Sequence, residues 1–133
     1  MEEVFNWKSC FYLSCFEVEG REEGGLLLKP REATIRLTNA CNAKCEMCEI
    51  WKEENISQFD NALLEKLPKS LKNITLSGGE PFLRNDLSEI VERVKSVCSK
   101  TRIVILTNGI LTDIITEQMK KIIKIAPIND PKA

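Results

Sequence analysis

The chain has 133 residues, 43% of them hydrophobic, which is enough for one compact domain but not for two. It contains no histidine, which excludes catalytic pairs built on imidazole and every zinc site that needs an imidazole ligand. With 19 basic and 20 acidic residues the net charge is -1, so neither a nucleic acid nor an anionic membrane is expected as a partner. The expected partner is therefore small.

The N-terminal segment starts with two acidic residues after the methionine and lacks the basic region and apolar stretch of a secretory signal. No apolar run approaches the ~18 residues that a membrane span needs. We therefore expect a cytoplasmic protein. In that reducing compartment, clustered cysteines bind metal or act chemically more often than they form disulfides, so the spacing of the six cysteines becomes the decisive feature.

From Ala33 onward, short apolar runs alternate with segments of helical periodicity, which is the pattern of successive βα units in a parallel sheet. The last of these runs is unbroken and mostly β-branched, which predicts a strand that is covered on both faces. The pattern predicts strands at residues 33–37, 73–76 and 103–106, and helices at residues 59–67, at residues 87–98 and after residue 109.

The ends of two of these helices carry typical capping residues. Ser57 is the expected cap of the first helix, with Asp60 as the acidic residue three positions later. Asp86 is expected to cap the second helix, with Glu89 placed to reach back to it. Cys98 falls on the apolar face of that second helix, so we assign it to the core.

Residues 1–32 differ from the rest and are expected to form a β hairpin or a pair of lead-in strands. Residues 11–19 have strand-like composition, residues 20–25 read as a charged turn, and residues 26–28 resume an apolar run. We therefore divide the chain into a lead-in at 1–32 and a main unit at 33–133. Cys10 and Cys15 lie in this lead-in, either as packing residues or as an auxiliary site.

Three cysteines follow the first predicted strand closely, with the spacing C-x-x-x-C-x-x-C: Cys41, Cys45 and Cys48. Such spacing lets three thiolates from one short loop bind a metal centre. An electron-transfer 4Fe-4S cluster normally uses four thiolates, so a cluster held by three leaves one iron open to a substrate or cofactor. The alternative is structural zinc, with Cys10 or Cys15 as the fourth ligand.

Two further motifs follow the other predicted strands. Gly78, Gly79, Glu80 and Pro81 come after the second strand, and Thr107, Asn108 and Gly109 come after the third. With the cysteine triplet and its lead-in, Thr38-Asn39-Ala40, these motifs resemble the radical S-adenosylmethionine (SAM) superfamily over roughly residues 29–109. In motif style the chain is most similar to the peptide-maturase and molybdenum-cofactor-biosynthesis branches.

The resemblance implies two cofactors, a 4Fe-4S cluster and SAM. It implies that SAM chelates the iron left open by the cysteines, that Met47 packs near the adenine, and that Asn108 either contacts the cofactor or forms a turn. The glycines and the acid of the second motif would meet the amino group of SAM. By this resemblance the metal ligands are Cys41, Cys45 and Cys48, and the cofactor-binding residues are Gly78, Gly79, Glu80, Met47 and Asn108.

The resemblance also implies a fold class, α/β, with the N-terminal half of a partial TIM-like barrel after a short hairpin. Only three βα units are predicted, where a full barrel has about eight, so we expect residues 33–133 to be a truncated radical SAM core. A truncated core leaves the last strand with an open edge, which favours an oligomer or a second polypeptide that completes the barrel.

The implied function is reductive cleavage of SAM to a 5'-deoxyadenosyl radical that abstracts hydrogen from an unknown small-molecule or peptide substrate. This chemistry needs a low-potential electron donor of the ferredoxin or flavodoxin type, and it needs no histidine. Whether this chain is itself an enzyme stays open at this point. The alternatives are a non-catalytic fragment that binds the cluster and a structural zinc module.

Overall fold

One four-stranded sheet organises the computed structural model, which describes residues 11–22 and 25–127, with side chains from residue 29 onward. The strands lie in the order of the chain, and the described residues also contain two α-helices and three short 3₁₀ helices. The strands are β1 (Phe11–Glu22), β2 (Gly25–Arg36), β3 (Asn73–Ser77) and β4 (Arg102–Ile105), and the α-helices are α1 (Leu87–Val97) and α2 (Thr112–Ile125). The 3₁₀ helices are Ile50–Lys52, Asn61–Lys66 and Pro81–Leu83.

The predicted N-terminal hairpin is confirmed. β1 and β2 are antiparallel, and their pairing runs from Phe11 opposite Ile35 to Glu22 opposite Gly25, with an irregularity between Val18 and Arg21. β1 extends to Glu22 and β2 begins at Gly25, so both strands reach into the predicted turn at 20–25. β2 continues without a break through residues 32 and 33, and the division of the chain at that point stays a prediction.

The parallel part of the sheet confirms the predicted α/β class. β2, β3 and β4 are parallel, with Ala33 opposite Ile74 and Ile74 opposite Ile103. Because parallel strands end at the same edge of a sheet, the segments that follow β2, β3 and β4 meet there. The sheet does not close into a barrel within the described residues, as expected for the first half of one.

The core lies between the parallel strands and the helices. Ile35, Leu37, Ile74 and Leu76 from the strand side are fully buried. The apolar face predicted for α1 is buried against them, and it consists of Leu87, Ile90, Val91 and Val94. Cys98, which caps the C-terminus of α1, is 3% exposed, so its assignment to the core is confirmed. Burial raises the pKa of its thiol.

The first predicted helix is a shorter 3₁₀ helix, Asn61–Lys66, and its cap is Asp60 rather than Ser57. The Asp60 carboxylate accepts a hydrogen bond from the Ala62 backbone N–H. Ser57 lies four residues before the first helical residue, where its backbone pairs with Asn39: its N–H donates to the Asn39 side chain and its carbonyl accepts from the Asn39 N–H. The tertiary contact therefore overrides the local capping signal.

Asp86 stands at the N-cap position of α1, as predicted, but its carboxylate makes no capping bond. It binds Arg84 and Asn61 instead.

β4 also differs from the prediction of a strand covered on both faces: Arg102 is exposed and the next three residues are half-buried. In the described part of the chain no strand pairs with the outer edge of β4. The helices described there are all too short or too polar to span a membrane.

Candidate cofactor site

The segments after β2 and β3 are held together by their backbones. The Gly79 N–H donates to the Thr38 carbonyl and the Glu80 N–H donates to the Ala40 carbonyl, each at 2.8 Å. A Cβ atom on Gly78 would lie 2.3 Å from the Thr38 oxygen, and one on Gly79 would lie 2.1 Å from the Ala40 oxygen. Both glycines are therefore required by this close approach, because any side chain would collide with backbone atoms.

Glu80 joins the loop after β3 to the loop after β4. Its side chain is fully buried, with 0% exposure. One carboxylate oxygen, Oε1, accepts from the Phe82 N–H at 3.1 Å. The other, Oε2, accepts from the Thr107 hydroxyl at 3.0 Å and from the Asn108 N–H at 2.8 Å. A buried carboxylate is stabilised by such donors. Glu80 therefore holds the loop after β3 and the loop after β4 in fixed relative positions.

Asn108 joins the loop after β4 to the cysteine loop. Its Oδ1 accepts from the Ile110 N–H at 3.0 Å, which is an Asx turn, and Gly109 within that turn has a φ of +75°. Its Nδ2 donates to Asn42 Oδ1 at 2.8 Å and lies 3.9 Å from Cys41 Sγ. The predicted turn is thus present, and the side-chain amide points toward the first cysteine.

The three cysteines of the triplet are free, but their surroundings differ. Cys41 is half-buried and its Sγ accepts from the Ala43 N–H at 3.4 Å, whereas Cys45 and Cys48 are exposed. A turn joins the latter two, in which the Cys48 N–H donates to the Cys45 carbonyl at 3.2 Å. Met47, between them, is 95% exposed, and its predicted contact with adenine stays a prediction.

Thiols are the donor type that both a 4Fe-4S cluster and structural zinc use. No three cysteine, aspartate or glutamate side chains in the described part of the chain are close enough to hold one metal ion. Cluster ligands bind separate irons, so they need not converge on one point, whereas the four ligands of structural zinc must. Cys10 and the side chain of Cys15, the proposed fourth zinc ligands, lie outside the described part.

Two buried residues outside the predicted set of site residues, Asn39 and Arg84, hold the segments around the cysteine loop together. Asn39, 3% exposed, donates from Nδ2 to Glu53 Oε2 at 2.6 Å and to the Asn55 carbonyl at 2.8 Å. Its Oδ1 accepts from the Ser57 N–H at 2.7 Å. Asn39 therefore holds residues 53–57, which follow the cysteine loop, against the segment after β2. Its place in the Thr38-Asn39-Ala40 lead-in was the only signal in the sequence.

The second unassigned residue is Arg84, which is 6% exposed. Its Nη1 donates to the carbonyls of Leu37 and Phe59 at 2.9 and 3.1 Å, just where β2 ends. Its Nη2 donates to Asp86 Oδ2 at 2.7 Å, and this hydrogen bond is the main cause that lowers the pKa of Asp86 to about 2. Nothing in the local sequence indicates the long-range bonds to Leu37 and Phe59.

The outer side of the cysteine loop is a polar surface around Trp51. The indole N–H donates to the Cys45 carbonyl at 3.1 Å, and the ammonium groups of Lys44 and Lys52 lie 5.7 and 5.6 Å from the ring centre. An open cavity of about 490 Å³ lies beside this surface. Acidic and basic side chains both line it, so it has no marked preference for one sign of charge.

Comparison with known proteins agrees with the geometry. The profile of the radical SAM superfamily matches residues 35–129, which include the segments after β2, β3 and β4. Curated relatives named "Probable GTP 3',8-cyclase" include proteins of Methanocaldococcus jannaschii, 35% identical over 99 residues, and Sulfurisphaera tokodaii, 31% identical over 94 residues. A third, from Methanococcus maripaludis, is 36% identical over 97 residues.

These matches cover 68%, 66% and 68% of this chain but only 32%, 30% and 32% of the relatives, so the chain spans about a third of their length. The profile match covers most of the chain and includes all three motif-bearing segments. Members of the matched superfamily use a 4Fe-4S cluster and SAM. The chain therefore belongs to the radical SAM superfamily.

Proposed function

We propose that this chain binds a 4Fe-4S cluster through Cys41, Cys45 and Cys48, binds SAM beside it, and thereby initiates radical chemistry on a substrate. When bound, the reduced cluster and SAM would supply a 5'-deoxyadenosyl radical for abstraction of hydrogen from that substrate. The observation that carries the proposal is the series of hydrogen bonds from Gly79 and Glu80 through Asn108 to the cysteine loop. Three separate sequence motifs are thereby held at one edge of the sheet.

We assign a role to each residue from the exposure of its side chain. Cys45 and Cys48 present free thiols at the surface, where a cluster and its cofactor have room. Glu80 has no exposed surface, and both of its oxygens accept hydrogen bonds from the protein. We therefore assign Glu80 to positioning the loop after β4, and we assign the amino group of SAM to the backbone carbonyls of Gly78 and Gly79. Met47 is free to pack against the adenine.

Anaerobic reconstitution with iron and sulfide tests the cluster. We expect iron and labile sulfide in the ratio of a 4Fe-4S cluster, and an electron paramagnetic resonance (EPR) spectrum of the reduced form that changes when SAM is added. Alanine variants of Cys41, Cys45 or Cys48 should lose the cluster. Cys98→Ala is the matched control, since that thiol is buried in the core and away from the loop. A Cys41→Ala variant with a full cluster and an intact SAM response contradicts the proposal, as does a colourless protein with one zinc.

The partners are proposed from the open edge of β4. Among the described residues no strand pairs with this edge, and in the chain that follows β4 Leu106, Ile110 and Ile114 are 51%, 60% and 44% exposed. We propose a polypeptide that continues the sheet, together with a low-potential electron donor of the ferredoxin or flavodoxin type and a small-molecule or peptide substrate. Size-exclusion chromatography and thermal melts test the first of these. A stable, cooperative monomer would count against it.

The choice of substrate starts from the relatives, which are named for a reaction of GTP. Formation of 5'-deoxyadenosine by the loaded chain, measured with and without GTP, tests the catalytic step. A loaded chain that binds SAM and releases no 5'-deoxyadenosine, even with the electron donor present, supports the alternative of a cluster-binding unit that needs the partner for catalysis.

A further inference from the structure

The three proposed iron ligands are not equivalent in this chain. Only Cys41 is half-buried, and only its sulfur has N–H groups of the described residues directed at it. One is the Ala43 backbone N–H at 3.4 Å, and the other is the Asn108 side-chain amide at 3.9 Å. The first belongs to the cysteine loop itself, whereas the second comes from 67 residues further along the chain.

The orientation of the Asn108 amide is determined by its surroundings. The Ile110 N–H donates to Oδ1, so Nδ2 must face the opposite way, toward Asn42 and Cys41. The backbone of Asn108 is held in turn by its N–H bond to the buried Glu80 carboxylate. An exposed side chain therefore has a defined direction.

We propose that Asn108 is a positioning residue for Cys41, whose sulfur it holds through an N–H···S hydrogen bond, and that this bond raises the reduction potential of the cluster. The inference rests on the proposed function. An N–H donor stabilises negative charge on a ligating sulfur, and that charge is larger when the cluster is reduced. The N–H···S bond therefore makes reduction of the cluster easier.

A matched pair of substitutions in two hydrogen-bonded residues tests the inference on the full, reconstituted chain. Asn108→Ser keeps a side-chain oxygen that can accept the Ile110 N–H, but it loses the amide donor. Asn42→Ser removes the other partner of that amide and leaves the donor to Cys41 in place. The midpoint potential is measured without SAM, by an EPR-monitored titration in which dithionite supplies one electron to each cluster.

We expect Asn108→Ser to lower the ratio of reduced to oxidised cluster about threefold at the native midpoint potential. This corresponds to a shift of about 28 mV to more negative potential, since tenfold is 59 mV for one electron. Asn42→Ser should leave the potential unchanged. Equal potentials in native protein and Asn108→Ser, or equal shifts in both variants, overturn the inference.

A second variant covers the case in which Asn108→Ser disturbs the loop so far that no cluster is bound. Asn108→Asp keeps the acceptor for the Ile110 N–H at the same position, lacks the donor and adds a negative charge near Cys41, so its potential should be lower than the native one for both reasons. A potential at or above the native value overturns the inference. If the native chain takes up no cluster, the proposed function fails with it. An unchanged potential in a loaded variant refutes the role of Asn108 alone.

Discussion

The carboxylate of Glu80 accepts the backbone N–H of Asn108 at 2.8 Å, across 28 residues of sequence. The same Oε2 atom accepts the Thr107 hydroxyl, and Oε1 accepts the Phe82 N–H. Glu80 therefore links the ends of two neighbouring strands through one buried charge. Because all of its donors belong to the protein, removal of the charge should affect the frame of the site even when no cofactor is bound.

Glu80→Gln should lower the free energy of unfolding by about 1 to 3 kcal/mol. The new amide can accept on one side only, so in either orientation its NH₂ group faces a backbone N–H, that of Phe82 or that of Asn108. Urea denaturation of the metal-free chain measures the change. Glu92→Gln, on the exposed face of α1, is the control and should stay within about 0.5 kcal/mol of the native value. Equal effects of the two substitutions would contradict the role given to Glu80.

Gly79→Ala should destabilise the chain by about 3 kcal/mol, at the upper end of the cost of overpacking. The new Cβ would lie 2.1 Å from the Ala40 carbonyl oxygen, and a backbone atom cannot yield as a flexible side chain does. Gly109→Ala is the comparison, because no atom lies within 4 Å of its Cβ position. Its φ of +75° alone should cost roughly 1 to 2 kcal/mol. The order of the two losses in urea denaturation checks the prediction.

Asn39→Ala should release the segment that Asn39 fastens, and it should cost about 2 to 3 kcal/mol. Three hydrogen bonds end on this side chain, to Glu53, Asn55 and Ser57. Hydrogen exchange at the Ser57 amide should become faster, since that N–H loses its acceptor. Asn55→Ala keeps the backbone carbonyl that Asn39 binds and serves as the control. Unchanged protection at Ser57 in Asn39→Ala would refute the assignment.

The ion pair of Arg84 with Asp86 predicts a specific loss of stability in acid. Arg84 lowers the pKa of Asp86 from 3.8 to about 2, so between about pH 2 and 4 the unfolded chain binds more protons than the folded one. The stabilisation is therefore complete above about pH 4 and is lost as the pH falls through 2. Since the Asp86 side chain is 33% exposed, we expect only roughly 1 kcal/mol at neutral pH.

Denaturation of Asp86→Asn at several pH values tests this expectation. The native chain should be the more stable at pH 7, and the difference should close toward pH 2. Asp113→Asn, an exposed substitution in the first turn of α2, gives the background for losing a carboxylate. A difference between native and Asp86→Asn that does not change with pH would contradict the pKa direction.

Sequence periodicity was sufficient for the order of the elements and for the edge where the motifs meet. The hairpin, the three parallel strands and the buried face of α1 follow from alternation, helical spacing and turn residues. The bonds of Arg84 could not be predicted in this way, because they join it to Leu37, 47 residues away. The capping prediction for Ser57 was wrong because a tertiary contact pairs the backbone of Ser57 with Asn39 and the helix begins only at Asn61.

Glu80 shows the same difference between what the local sequence predicts and what tertiary contacts determine. Its position in a recognisable motif indicated that it matters, and the sequence suggested a ligand for an ammonium group. The folded chain surrounds it with donors from the protein, which only the meeting of β3 and β4 creates. Local patterns therefore predict which residues come to the site, and tertiary contacts determine which atoms they bind.

The backbone bonds that join Gly79 to Thr38 and Glu80 to Ala40 involve no sulfur. The scaffold around the triplet is thus formed by the polypeptide itself, in contrast to small zinc modules whose folding depends on the ion. Loss of the proposed cluster would then cost this chain its metal but not its shape. Fresh iron and sulfide would then meet a loop already in place, with the thiols of Cys45 and Cys48 at its surface.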